Sequence, residues 1–205
     1  MNSLRFLPLF FIINITSCSL PNLNDPETLK EAKQNAVSLS TINKEFKYGM
    51  VWLYVDEDNE SYTGWVKETH SNHSIKKLGY LKDGKKEGLW MDWYENGLQE
   101  SKIMWHQDRL SGDYLQWFIN ENPHVIGQTL DGEMDGEWKE YYSNGNLQAH
   151  SFNDLGKCIS KKIWRINGKL CTESNVENGN GHYIEYKENG EVPVTRTYKD
   201  GVEIK

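Results

Sequence analysis

The sequence predicts an all-β protein: a single elongated, twisted antiparallel sheet built from tandem β-hairpins, with a short N-terminal helix or tether. Two observations carry this prediction. Glycines recur at a fixed interval, as in Gly64, Gly88, Gly112 and Gly136, which follow one another at steps of 24 residues. The stretches between turns are rich in aromatic and other β-favouring residues. A constant period of this length indicates an array of one supersecondary unit.

Paired turns define the unit as a hairpin. One series of turn positions runs at steps of 24, 24, 24, 23 and 22 residues through Gly84, Asp108, Gly132, Gly156, Gly179 and Gly201. A second series carries Asn-Gly pairs, at Asn96-Gly97, Asn144-Gly145, Asn167-Gly168 and Asn189-Gly190. Asn-Gly is the strongest short hairpin signal, because a type I′ turn requires positive φ at both central residues. We therefore expect about six hairpin repeats of 22–24 residues over residues 49–205.

The first residues predict a lipoprotein signal peptide over residues 1–17. Arg5 is followed by an apolar run from Phe6 to Ile15, which is too short for a transmembrane helix. The run ends in Ile15-Thr16-Ser17-Cys18, which resembles a bacterial lipobox and would make Cys18 the lipidated first residue. One alternative is an ordinary secretory signal with an incidental cysteine. A further alternative is an uncleaved segment that is retained as an anchor. The residue after the cysteine is Ser19 and not the aspartate that usually retains lipoproteins at the inner membrane. In a cell with two membranes this favours the outer membrane.

Residues 18–48 differ from the rest of the chain in composition. All seventeen glycines lie from Gly49 onward. Asp25 is a good N-cap and Pro26 suits the first helical position, so we predict a tether with a possible short helix. Leu29, Ala32 and Ala36 would form its narrow apolar stripe. This helix either binds a partner or belongs to a spacer that holds the array off the membrane or docks on its first strand.

Aromatic residues keep the period of the array. One set lies at steps of 24, 24, 23 and 22 residues and should form a column on one sheet face: Trp93, Trp117, Tyr141, Trp164 and Tyr186. A second set falls on the opposite face by strand alternation: Trp90, Tyr114 and Trp138 with Tyr94, Phe118 and Tyr142. The first set provides the candidate partner-binding aromatics, since aromatic residues are enriched at interfaces. The alternative is that both columns pack internally to hold a thin sheet together.

The residue types used in catalysis and metal binding do not form a recognisable motif in this sequence. No metalloprotease, nucleophile-elbow, phosphate-loop or Cys-x-x-Cys motif occurs, so we expect no catalytic residue, no metal site and no cofactor. A net charge of −7 disfavours nucleic acid and an anionic membrane surface as partners, which leaves the Cys18 lipid as the membrane contact. Pairing Cys171 opposite Trp164 would place Cys158 about 20 Å away, so both thiols are expected to be free.

The register resembles the MORN repeat in its bacterial variant form over about residues 64–201. Two segments carry the resemblance, Asp83-Gly-Lys-Lys-Glu-Gly-Leu-Trp-Met-Asp-Trp-Tyr-Glu-Asn-Gly97 and Asp131-Gly-Glu-Met-Asp-Gly-Glu-Trp-Lys-Glu-Tyr-Tyr-Ser-Asn-Gly145. The third and fifth repeats depart from the pattern, because the third lacks Asn-Gly and adds Pro123, and Ser160 replaces the Gly-x-Trp start in the fifth. The resemblance implies a stack of β-hairpins that serves as a binding scaffold. Similar chains include secreted lipoproteins and proteins labelled as YwqK-type antitoxins.

Taken together, the sequence predicts a non-enzymatic, membrane-tethered, protein-binding scaffold of the bacterial cell envelope. Its partner would be an envelope protein. Two alternatives remain open. The resemblance implies an antitoxin or immunity protein that neutralises a secreted or periplasmic toxin, and the aromatic column would also suit a glycan-binding envelope module.

Overall fold

The computed structural model describes residues 20–186 and 193–204, so Cys18 and the Asn189-Gly190 pair lie outside the described residues. Strands make up 61% and helices 7% of the described residues, which confirms the predicted all-β fold. The elements, in chain order, are α1 (Pro26–Asn35), β1 (Val37–Ser38), the 3-10 helix η1 (Leu39–Thr41), β2 (Asn43–Lys47), β3 (Val51–Val55), β4 (Gly64–Thr69), β5 (Ile75–Lys82), β6 (Lys85–Trp93), β7 (Gln99–His106), β8 (Arg109–Trp117), β9 (Pro123–Leu130), β10 (Glu133–Tyr141), β11 (Leu147–Asp154), β12 (Lys157–Trp164), β13 (Leu170–Glu177), β14 (Asn180–Glu185), β15 (Val194–Lys199) and β16 (Val202–Ile204).

Fourteen of these strands form one open sheet. From β4 to β16 every strand pairs antiparallel with the next strand in sequence, so the sheet grows by one hairpin after another. The short β1 pairs with β4 in parallel and forms the first edge. β2 and β3 form a separate hairpin. The predicted tandem hairpin array is therefore confirmed, with one parallel pair at its start.

Two kinds of turn alternate along the array. At Asp83-Gly84 and Asp131-Gly132 both central residues have positive φ, which is the type I′ pattern. At Asn96-Gly97, Asn144-Gly145 and Asn167-Gly168 only the glycine has positive φ, as at Gly97, whose N–H donates to the Tyr94 carbonyl. These are three-residue loops that end in a left-handed residue, so the two-residue I′ geometry predicted for Asn-Gly is wrong. Asp108 and Glu121 both adopt φ 66°, which shows that the backbone keeps the conformation where glycine is lost.

Hydrogen bonds join each hairpin to the next at both turn edges. At the I′ edge a turn N–H donates to a carbonyl of the preceding hairpin in six places: Gly84 to Tyr62, Asp108 to Lys86, Gly132 to Leu110, Gly156 to Met134, Gly179 to Ile159, and Gly201 to Gly179. At the other edge the Tyr94 hydroxyl donates to the Trp117 carbonyl at 2.7 Å, and the Tyr142 hydroxyl donates to the Trp164 carbonyl at 2.8 Å. The spacing of successive repeats is thus fixed at both ends of the strands.

Phe118 occupies the position of Tyr94 and Tyr142 in the third repeat but has no hydroxyl. We expect Phe118→Tyr to add a hydrogen bond to the Tyr141 carbonyl and to stabilise the protein by about 0.5–1.5 kcal/mol. Urea unfolding followed by circular dichroism measures this change. Phe152→Tyr on an exposed position is the matched control and should leave the midpoint unchanged. An equal gain in both variants would show that the added hydroxyl makes no specific bond.

The N-terminal segment wraps the first strands of the sheet on both faces. On one face α1 begins at the Asp25 N-cap, as predicted, and its Ala32 packs with Leu78 and Met91. On the other face Ile42, next to η1, packs with Trp90. Residues 18–48 were predicted as a tether, yet the described part of this segment also contributes β1, η1 and β2. The described part of the segment packs on the sheet and does not act as a free spacer. It covers the hydrophobic end of the array, as terminal repeats require.

Cys158 and Cys171 are free thiols in one buried cluster. The Cys158 Sγ donates to the Ser160 carbonyl at 3.7 Å, while the Cys171 Sγ lies 3.2 Å from the Ser174 Oγ. A bulge places Leu170, not Cys171, opposite Trp164, so the predicted pairing was wrong by one residue. Desolvation by burial raises the pKa of Cys158, which keeps this thiol protonated and unreactive at neutral pH.

Candidate partner-binding face

Cross-strand pairing defines the two faces of the long sheet. A continuous row of paired residues crosses all fourteen strands on the face that α1 covers, here called the helix face: Ser38, Lys67, Leu78, Met91, Lys102, Leu115, Ile126, Lys139, His150, Lys162, Asn175, His182, Thr197 and Ile204. Residues two positions away along a strand share this face, and adjacent residues lie on the opposite one, here called the far face.

Trp93, the first of the predicted column, lies on the helix face but is covered. It follows Met91 by two residues and is buried beneath α1 together with Leu23 and Leu89. The Lys33 ammonium of α1 lies 5.2 Å from the centre of its ring. Trp93 therefore contributes to the packing of the helix and is not accessible to a partner.

Trp117, Tyr141 and Trp164 also lie on the helix face, beyond the end of α1. Each follows a residue of the row by two positions, after Leu115, Lys139 and Lys162 respectively, and each is only partly buried. Apolar side chains on this face are also largely exposed, among them Ile126 at 40% and Phe152 at 51%. The structure thus brings three of the five predicted residues together on an uncovered aromatic surface, here called the open aromatic face.

Tyr186 does not belong to this column. It packs against the cluster that contains Ile163 and Cys171, and its hydroxyl lies 3.7 Å from the Cys171 Sγ. Ile163 precedes Trp164 in the same strand, so this cluster lies on the far face. The prediction that Tyr186 continues the column is wrong, because Tyr186 lies beyond the end of β14 at Glu185, where the strand alternation on which the prediction relied no longer holds.

Three members of the second aromatic set, Trp90, Tyr114 and Trp138, lie on the far face, as predicted, and have a packing role. The Trp90 and Trp138 rings lie directly over Gly79 and Gly127 of the preceding strands. The Trp138 Nε1 donates to the Gln128 carbonyl at 2.7 Å, which fixes the ring in this position. Lys86 lies over Trp90, and its burial there lowers the pKa of its ammonium group.

Charged side chains lie next to the open aromatic face. Glu137 accepts hydrogen bonds from Lys139 at 2.9 Å and His150 at 2.8 Å. The hydrogen bond from Lys139, followed by that from His150, lowers the pKa of Glu137. A shallow cavity of about 410 Å³ lies between Glu137, His150, Phe152 and Lys162. Sequence reasoning missed these residues, although strand parity relative to Tyr141 and Trp164 would have placed Lys139 and Lys162 beside them.

A second exposed apolar surface lies on the β2–β3 hairpin. Tyr48 and Met50 at its tip are 80% and 82% exposed, and Phe46 pairs with Trp52 at a ring separation of 5.4 Å. This hairpin precedes the regular period and gave no signal in the sequence analysis. Its opposite side carries Leu53, which is buried.

Within residues 20–186 and 193–204, no three or more His, Cys, Asp and Glu side chains lie close enough together to hold a metal ion. Buried Glu87 accepts hydrogen bonds from His106 at 3.0 Å and from the Gln107 backbone N–H at 2.9 Å, so its carboxylate has partners. In the same ranges, α1 and η1 are both too short and too polar to cross a bilayer.

Comparison with known proteins adds no family assignment: no protein-family model matches the chain, and no curated protein matches it.

Proposed function

We propose that this protein is a non-enzymatic, lipid-anchored scaffold of the bacterial cell envelope that binds a protein partner through the open aromatic face. The observation that carries the proposal is the uncovered part of the helix face, where Trp117, Tyr141 and Trp164 stand in register. Large aromatic side chains on an otherwise polar surface are typical of interface anchors.

The surroundings of these aromatics favour a protein partner. Exposed Ile126 and Phe152 add apolar area between them. Lys139 and His150 offer hydrogen-bond donors in the same row. Aromatic anchors with a polar surround form the usual anatomy of an interface that associates and dissociates. The bonds at both turn edges keep these side chains at fixed spacing, so little conformational entropy is lost on binding.

Trp117→Ala should abolish capture of the partner while leaving the β circular dichroism spectrum unchanged. The measurement is in-cell crosslinking of the full-length protein followed by mass spectrometry. Trp105→Ala is the matched control, because Trp105 is also partly buried but belongs to the far face. Capture that survives Trp117→Ala, or that is lost equally in the control, would contradict the proposal. A single stoichiometric toxin as the partner would assign the antitoxin role implied by the resemblance.

The lipid anchor is tested separately. Cys18→Ser should shift the protein from the membrane fraction to the soluble fraction, because the lipid is then the membrane contact that is lost. Fractionation after labelling with a radioactive or alkyne fatty acid measures both lipidation and location. Label that persists in the variant would show that the acyl chain sits elsewhere, and unchanged membrane retention without label would point to an uncleaved anchor.

A further inference from the structure

The part of the sheet on which α1 packs, here called its seat, has a simple composition of apolar and lysine side chains. The helix lies over Leu78 and Met91, which are adjacent in the cross-strand row. The next residues of the row on either side are Lys67 and Lys102. The Lys67 Nζ donates to the Lys33 carbonyl in the last turn of α1 at 3.0 Å, and the Lys102 Nζ donates to the Asn24 Oδ1 before its first turn at 3.4 Å. Two apolar residues thus support the helix, and two lysines bind acceptors at its ends.

The same order of residues recurs once along the row, on uncovered strands. Lys102 is followed by Leu115, Ile126 and Lys139 on successive strands. Trp117 follows Leu115 by two residues in β8, as Trp93 follows Met91 in β6, and these two strands run in the same direction. Ile126 is 40% exposed where Met91 is 2% exposed. The two sites differ in cover, because α1 lies over the first, and in the place of the tryptophan, which is on the strand of the second apolar residue in the first site and on the strand of the first apolar residue in the second site.

We propose that Leu115, Ile126 and Trp117, between Lys102 and Lys139, form a second helix seat that takes one amphipathic helix of a partner protein. The occupant follows from continuity with the α1 site, which adjoins this one and shares Lys102. By analogy with Ala32 and Ala36, the partner helix would present alanine and leucine to the sheet. Because Lys139 ends this stretch of the row as Lys102 ends that under α1, a hydrogen-bond acceptor at the helix end would complement the seat.

The second seat is more polar than the first, which predicts a reversible contact. Asp113 and Gln128 occupy the repeat positions of Leu89 and Met104, which pack with the α1 cluster. The Gln128 Nε2 donates to the Asp113 Oδ1 at 3.1 Å, so these two groups satisfy each other while the seat is empty. A partner helix would bury less apolar area than α1 does and would dissociate more readily.

The inference rests on the proposed scaffold function for the existence of a partner, but its test does not require the partner. The probe is a helix-stapled peptide with the sequence of residues 20–36, carrying a diazirine at the position of Ala32. The staple keeps the peptide helical, because a free peptide of this length is marginally helical in water. The peptide is irradiated with the full-length protein in detergent, and the crosslinked strands are identified by mass spectrometry.

Crosslinks to β8 and β9 are expected, with peptide affinity reduced at least tenfold by Ile126→Asp. Phe152→Asp is the matched control, since Phe152 is exposed on the same face but lies outside the seat. Crosslinks confined to β5 and β6, equal affinity in both variants, no crosslink at all, or self-association of the chain through this face would each overturn the inference. A bound peptide together with unaltered partner capture in Trp117→Ala would keep the seat and reject the proposed function.

Discussion

Ala32→Asp should detach α1 from the sheet and lower the free energy of unfolding by about 3–5 kcal/mol, the range for an unpaired charge in a buried site. Ala32 is fully buried, and its neighbours in the α1 cluster are apolar: Leu23, Leu78, Leu89 and Met91. The helix cannot keep its seat with a carboxylate at this position. Detachment removes the charge from the buried site but uncovers Trp93, so the loss of packing then replaces the penalty for burying a charge.

Two measurements separate these effects. Urea unfolding gives the loss of stability, and amide hydrogen exchange shows whether Pro26–Asn35 has lost its protection while strands β8–β12 keep theirs. Gln34→Asp is the control, because it introduces the same side chain on the exposed side of the same helix. Protection of α1 that survives in Ala32→Asp would mean that the helix is held by its ends alone.

Gly127→Ala should cost about 3 kcal/mol, at the upper end of the range for overpacking. An added Cβ would lie 2.4 Å from the Trp138 Cδ2, and the corresponding distance from Gly79 to Trp90 is 2.0 Å. Neither glycine has positive φ, so the effect is steric and not conformational. The Trp138 ring cannot shift without giving up its hydrogen bond to the Gln128 carbonyl.

The control is Gly88→Ala, where the added methyl meets no atom within 4 Å and only the positive φ of 71° opposes it. That variant should lose about 1–2 kcal/mol. Thermal or urea unfolding of both variants gives the comparison. The double variant Gly127→Ala, Trp138→Leu should show a favourable coupling energy, since a smaller side chain relieves the clash. Strict additivity in this cycle would refute direct contact as the cause.

The repeated part of the fold is predictable because its information is local. Turn residues at a constant step define the hairpins, and each strand then pairs with its neighbour in sequence. Even the loss of glycine at Asp108 and Glu121 leaves the period readable, since both residues adopt the same left-handed conformation. The opposite placement of Trp90 and Trp93 follows from alternation along one strand.

The rest depends on contacts that no period encodes. The stripe of Leu29, Ala32 and Ala36 predicts an amphipathic helix, but nothing in it identifies Leu78 and Met91 as its seat. Tyr186 follows the last residue of β14, where strand alternation no longer determines the face on which a side chain lies. Part of the candidate site was therefore predicted, with Trp117, Tyr141 and Trp164 placed together, while the covering of Trp93 required the three-dimensional structure.

The two ends of the array differ, and this difference has a mechanical consequence. At the first edge the N-terminal segment packs on both faces of the sheet and adds β1. At the last edge β16 has only three residues, all exposed. Tension applied at the final strand would load one hydrogen-bonded ladder at a time, so the sheet would unzip hairpin by hairpin from that end. Each released hairpin of about 24 residues would lengthen the chain by roughly 80 Å. A pulled molecule would thus yield in steps, and the end that carries α1 would be the last to give way.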